Sequence, residues 1–273
     1  MIEIPESKTL SLQASQILNG KKLAKVIPST HVHKMAWYEG DPKDYPKLLE
    51  GRTVQSTQGH GMFVDIHFDG NVRISVSDGV NMRYFSKFEE APTKHQLLLV
   101  FDDGSCLAFT VAMYGGIMVY EGKLNNKYHI GSLNAISPLD EAFNEKVFQG
   151  ILDSAKDLSA KALLATEQRI PGLGNGVLQD ILFNAGIHPK RKKSSLSELE
   201  KRDLFYSLKI TLKKMTDLGG RDTEKDLFGK NGRYKTILSK NTLDLPCPKC
   251  GGKIEKESYM GGAVYFCPNC QKL

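Results

Sequence analysis

Four cysteines crowd the end of this 273-residue chain: Cys247, Cys250, Cys267 and Cys270, spaced C-x2-C-x16-C-x2-C. Each CxxC pair can wrap one side of a metal ion, and four thiolates complete a closed tetrahedral site. The spacing predicts one structural Zn2+ ion. A pair of disulfides is the competing reading. It needs an oxidising compartment, and the opening MIEIPESK carries acids where an export signal would carry an apolar stretch. Between the cysteine pairs, Gly251-Gly252 and Gly261-Gly262 are turn signals, and segments 253–259 and 263–266 hold β-prone residues. The expected unit is a zinc-ribbon β-hairpin. The fifth cysteine, Cys106, sits in an apolar run and reads as a buried structural thiol.

The rest of the chain divides by period. Segment 7–23 places Leu10, Ala14, Ile17 and Leu18 at helical spacing, with Pro5 ahead and Gly20 near the end. From about 22 to 129 the pattern turns to short β-like runs, 62–68, 72–76, 97–101, 107–111 and 117–120, separated by turns such as Asp69-Gly70-Asn71. After Ser137-Pro138 helical periodicity takes over at 141–152, 160–167, 176–185 and 198–218, and 219–241 reads as loop. The expected fold is α+β and multidomain: a β-sandwich with a leading helix (1–133), a helical unit (134–225), and a linker with the zinc ribbon (226–273). The longest apolar run is five residues, 97–101, against the roughly 20 a membrane helix needs. No membrane partner is therefore expected.

Net charge is +6, and it is unevenly placed. Between Gly186 and Lys240 stand fifteen Lys/Arg against seven Asp/Glu, densest at Lys190-Arg191-Lys192-Lys193. A solvated loop explains an isolated basic run equally well. Lying between a glycine-rich helix junction and a zinc ribbon, the run favours contact with a phosphate backbone. The junction reads Gln168-Arg169-Ile170-Pro171-Gly172-Leu173-Gly174-Asn175. Glycines ahead of a helix let backbone N–H groups approach an anion, and the helix dipole adds to the attraction. Asn175 can cap that helix and donate to a phosphate. Taken alone, the same string would serve as an ordinary tight turn.

PGLGN followed by ILFNAGIHP resembles the helix–two-turn–helix signature of the formamidopyrimidine-DNA glycosylase / endonuclease VIII family. The C-terminal CPKCGGKI…YFCPNCQ resembles that family's zinc finger, and MIEIPESKTL resembles its opening. The resemblance spans essentially the whole chain. It implies a β-sandwich, a helix–two-turn–helix domain and a zinc finger around damaged or abasic double-stranded DNA, in base excision repair by a DNA N-glycosylase that is a cytoplasmic, nucleoid-associated monomer.

By that resemblance the catalytic positions are Glu3, Glu6 and an amine at residue 2. The family has a proline there, which attacks the sugar and forms a Schiff base; this chain has Ile2. The resemblance thus implies base removal with weak or absent lyase activity. The alternative is a catalytically inactive protein that binds damaged or abasic DNA, and an RNA-binding zinc ribbon is a more distant third reading. For DNA contact the resemblance points to Lys161, Gly172, Gly174 and Asn175. It also points to His60, standing where the family has a lysine, and to Met113 and Tyr114 as apolar wedges. The family's damage-reading Met loop, its Arg-Phe wedge and its finger arginine have no match here.

Overall fold

The computed structural model describes residues 1–31 and 33–273. Helix α1 (Ile4–Leu18) opens the chain. Pro5 sits in its first turn, where a missing N–H costs nothing, and Glu3 and Glu6 form a reciprocal capping box. The expected span 7–23 therefore began too late and ran too far. Gly20, at φ +83°, turns the chain, and Leu23 already belongs to a strand.

Nine strands follow: β1 (Leu23–Pro28), β2 (Ala36–Glu39), β3 (Val54–His60), β4 (Phe63–Phe68), β5 (Val72–Ser77), β6 (Val80–Phe85), β7 (Leu97–Phe101), β8 (Cys106–Val111) and β9 (Gly115–Glu121). They form a four-stranded sheet, β1-β7-β8-β6, and a five-stranded sheet, β2-β9-β5-β4-β3. Pairing is antiparallel except for β2 with β9. Alternation along β4 sends Val64, Ile66 and Phe68 into the sandwich core, where they meet Leu99, Leu107 and Phe109. Short helix α2 (Tyr45–Leu49) adds Tyr45 and Leu49 to that core. The five runs read from the sequence match β4, β5, β7, β8 and β9. The strands outside those runs include β2, which is only four residues long, and β3, whose polar residues blur the alternation.

The second half holds α3 (Lys127–Asn134), α4 (Glu145–Ser154), α5 (Ala160–Ala165), α6 (Asn175–Asn184) and α7 (Glu198–Asp217). Side chains of Asn126, Asn144, Ser159 and Ser197 cap four of them. Their core gathers Phe143, Leu163, Leu178, Ile181, Leu208 and Leu212. Helix α1 straddles both cores: Leu10, Ala14 and Leu18 pack into the sandwich, while Ile4 packs among the helices. Hairpin strands β10 (Glu255–Tyr259) and β11 (Gly262–Phe266) end the chain, and Phe183 of α6 packs beside Ile254, Cys247 and Cys267. Among the described residues, no helix is long and apolar enough to cross a membrane.

Candidate active site and nucleic-acid interface

Capping by Glu3 brings its carboxylate to the junction ahead of α6. Glu3 Oε1 accepts from the Gly176 N–H at 2.9 Å, and Oε2 from the Val177 N–H at 2.8 Å. The anion at this helix N-terminus is therefore the chain's own. Glycine is required for the approach: a Cβ at Gly174 would stand 2.6 Å from Glu3 Oε1. At Gly172, φ is +80° and a Cβ would meet the Gly61 backbone at 2.2 Å, so this glycine lets the junction press against the β3–β4 turn. Gly172 also accepts from the Ile4 N–H at 3.1 Å. Both glycines had been expected to open backbone N–H groups to a phosphate. In the fold they seat Glu3 and join the two halves.

Arg221 closes the site from the loop after α7. Its Nη1 lies 3.5 Å from Glu3 Oε1, and it bonds Glu6 through Nε and Nη2. All three side chains are buried. Burial pushes the Glu3 carboxyl above its ordinary range, although Arg221 and the two N–H donors pull it down. Sequence reading missed Arg221, because a Gly-Gly-Arg in a charged loop gives no periodic signal.

Ile2 is 3% exposed in the sandwich core, and its N–H donates to Asp78 O at 2.7 Å. The amine belongs to Met1, which pairs with Glu224. The Tyr114 hydroxyl lies 3.9 Å from the Met1 sulfur, and its ring is 6.0 Å from that of Trp37. Met113, beside it, is exposed. A cavity of about 520 Å³ opens here, lined by Trp37, Phe63, Asp78, Tyr114, Tyr128 and Gln168. Burial raises the Asp78 carboxyl, opposed by the N-terminal charge. Trp37 and Asp78 were not foreseen; the lone tryptophan was the available signal for the first.

The residues expected at the phosphate backbone also make contacts within the fold. Lys161 Nζ donates to Tyr259 O at 2.6 Å, and Asn175 Nδ2 donates to Ala263 O at 2.8 Å. Both therefore hold the hairpin against α5 and α6. Asn175 Oδ1 is buried without a partner. His60 is largely enclosed, with Nδ1 3.1 Å from Ser132 Oγ and Nε2 3.0 Å from Asp65 Oδ2. The four cysteine sulfurs converge, Cys247 to Cys270 at 3.8 Å and Cys250 to Cys267 at 3.5 Å. Four tetrahedral thiolates at roughly 2.3 Å from one ion would be separated by about 3.8 Å. This cluster could hold a metal ion. The Gly252 N–H, ahead of the neighbouring sulfurs, lowers the Cys250 thiol to about 7.

Residues 1–114 match the formamidopyrimidine-DNA glycosylase N-terminal domain, and residues 135–226 match the formamidopyrimidine-DNA glycosylase H2TH domain. The chain belongs to this glycosylase family. A formamidopyrimidine-DNA glycosylase of Mycoplasma mobile is 28% identical, with both chains covered completely. One from Listeria monocytogenes is 29% identical, again over 100% of each chain. The crystal structure of the MutM (Fpg) protein of Thermus thermophilus is similar at a TM-score of 0.81, with 25% identity and 98% of each chain covered. Lactococcus lactis Fpg, in a complex with DNA containing N7-benzyl-Fapy-dG, gives a TM-score of 0.86 at 24% identity, covering 99% of this chain and 100% of that one. Within the family's fold this member buries residue 2 and leaves the Met1 amine beside Glu224.

Proposed function

We propose that the protein is a DNA glycosylase-type repair protein that grips damaged or abasic duplex DNA and removes a base, with little or no strand cutting. The observation that carries this reading is the Glu3 carboxylate. It is held between two backbone N–H groups and Arg221, and it is buried in a way that favours its protonated form. Such a group can give or take a proton at the reacting base and sugar. The base is extruded from the duplex before reaction. Met113 and Tyr114 are the apolar wedges, and the cavity beside them is the space available to an unstacked base. Glu6 acts through Arg221 as a positioning residue.

Strand cutting needs a free amine that attacks the sugar. With Met1 retained, the residue 2 nitrogen is bonded to the Asp78 carbonyl, and the Met1 amine is paired with Glu224. These two contacts also favour the second reading, a lesion-binding protein without catalysis. Cys247, Cys250, Cys267 and Cys270 would hold one structural zinc ion, which stiffens the hairpin. Lys161 and Asn175 then set the angle at which the hairpin meets the phosphate backbone.

The test is incubation with duplexes bearing an oxidised purine, an oxidised pyrimidine, an alkylated base or an abasic site, with borohydride present to trap a Schiff base. Release of a base without trapping supports the glycosylase reading. Tight lesion binding without product, unchanged in Glu3→Gln, selects the second. No preference for any lesion overturns both.

A further inference from the structure

A second cluster of metal-type donors lies away from the cysteines, on the outer face of the five-stranded sheet. Alternation along β4 that sends Val64 and Ile66 inward turns Phe63 and Asp65 outward, beneath α3. Three polar side chains from separate elements meet there: His60 at the end of β3, Asp65 in β4 and His129 in α3. Asp65 Oδ2 is 3.0 Å from His60 Nε2 and 2.9 Å from His129 Nε2. Ser75, the cross-strand neighbour of Asp65, donates to the other oxygen at 2.6 Å and is joined to the Tyr120 hydroxyl at 2.9 Å. His60 Nδ1 is engaged by Ser132 Oγ.

The charge balance demands a cation. Asp65 is 1% exposed, and His60 and His129 are its only ion-pairing partners among the described residues. A buried carboxylate without a positive charge is costly. Either protons on the imidazoles or a metal ion can supply that charge.

We propose that His60 Nε2, His129 Nε2 and the Asp65 carboxylate form a second metal site for a first-row divalent ion of the zinc type. Two histidines and one carboxylate are a common ligand set for such ions. Tetrahedral ligands at roughly 2.05 Å around a zinc ion lie about 3.3 Å apart, so the two N···O edges of 3.0 and 2.9 Å need to open only slightly to admit one. Ser132 and Ser75 fix one ring nitrogen and one carboxylate oxygen, as outer partners of metal ligands do. The entry path is a cavity of about 510 Å³ lined by Ser7, His60, Gly61, Ser132 and Pro171. An ion here would bind α3, the connection into the helical unit, to the sheet, and would steady the β3–β4 turn against which Gly172 is pressed.

The experiment uses the untagged full-length protein, equilibrated with Zn2+, freed of loose metal by gel filtration and analysed for zinc per chain. The wild type should hold two. His129→Gln and Asp65→Asn should each hold one, and Cys250→Ser should lose the other. His60→Gln, at the cavity rim, tests the site should the buried variants fold poorly. With Co2+, the cysteine site gives thiolate charge-transfer absorption, and the second equivalent should add visible absorption without it. One zinc per chain in the wild type overturns the proposal. So do two that persist in His60→Gln and in every folded variant of Asp65 or His129.

Discussion

Arg221 donates to both carboxylate oxygens of Glu6, Nε to Oε1 at 3.0 Å and Nη2 to Oε2 at 2.8 Å. The two residues are 215 positions apart, and both side chains are buried. This pair ties the loop after α7 to the first turn of α1, and through Glu3 it reaches the junction ahead of α6. Removing the guanidinium leaves two carboxylates buried without a counter-charge. Arg221→Ala should therefore destabilise by about 3–5 kcal/mol, in the range of broken buried pairs. Arg221→Lys keeps the charge and loses the fork, so its loss should be smaller. Urea unfolding measures both; an Arg221→Ala loss of only about 1 kcal/mol, typical of a surface pair, would show that the bridge does not hold these parts together.

Glu3→Gln separates chemistry from architecture. The amide oxygen can still accept from one of the Gly176 and Val177 N–H groups, but its NH2 group faces the other. The expected cost is about 1–3 kcal/mol of stability. Base release should fall below detection, while affinity for an abasic duplex changes little. Release assays and binding titrations on the same preparation check this, and undiminished release in the variant removes Glu3 from the reaction.

Three features were legible in the sequence for physical reasons. The cysteine spacing, the shift from two-residue to helical periodicity and the glycine junction are all local patterns, and each corresponds to a unit of the fold. What could not be read was the direction in which the long side chains turn. Lys161, Asn175 and His60 have the chemistry to meet phosphate; in the fold the first two each give one donor to a hairpin carbonyl, and the third turns to Asp65. Likewise, Gly174 looked like an opening for an external anion, whereas Glu3 arrives there from 171 positions earlier. Contacts over such distances leave no periodic trace.

Asn175 gives a test of the hairpin's seat. Its Nδ2 donates to Ala263 O, and its Oδ1 is buried without a partner. Asn175→Ala loses one hydrogen bond, worth about 1 kcal/mol. Asn175→Asp puts a carboxylate oxygen against the Ala263 carbonyl and adds a negative charge. Duplex affinity should therefore fall further in the aspartate variant than in the alanine variant, across sequences, because the effect acts on backbone contact and not on bases. Salt titrations of binding for both variants decide it; equal affinity would mean that the hairpin angle does not matter to the grip.

Asp180 predicts a pH dependence of stability. It lies in α6, fully buried, and accepts from the Ile237 and Leu238 N–H groups at 2.9 and 2.8 Å. Burial pushes its carboxyl up to about 6, although those N–H groups, the Tyr234 hydroxyl and Arg221 all favour the charged form. A raised carboxyl binds its proton more tightly in the folded state than in the unfolded chain. The stabilisation from that proton is complete below the unfolded value of about 4 and fades as pH rises through 6. The full span is worth roughly 3 kcal/mol at about 1.4 kcal/mol per unit. Asp180→Asn cannot ionise, and its NH2 group meets one of the two N–H donors, so at pH 5 it should be less stable than the wild type by about 1–3 kcal/mol. By pH 7 the wild type has lost the stabilisation from its proton and the variant has not, so the gap should narrow. Paired urea unfolding of both proteins at the two pH values isolates this residue, because protonation of the cysteines affects both alike. A gap that stays constant or widens from pH 5 to pH 7 would place the Asp180 carboxyl at its ordinary value and charged throughout.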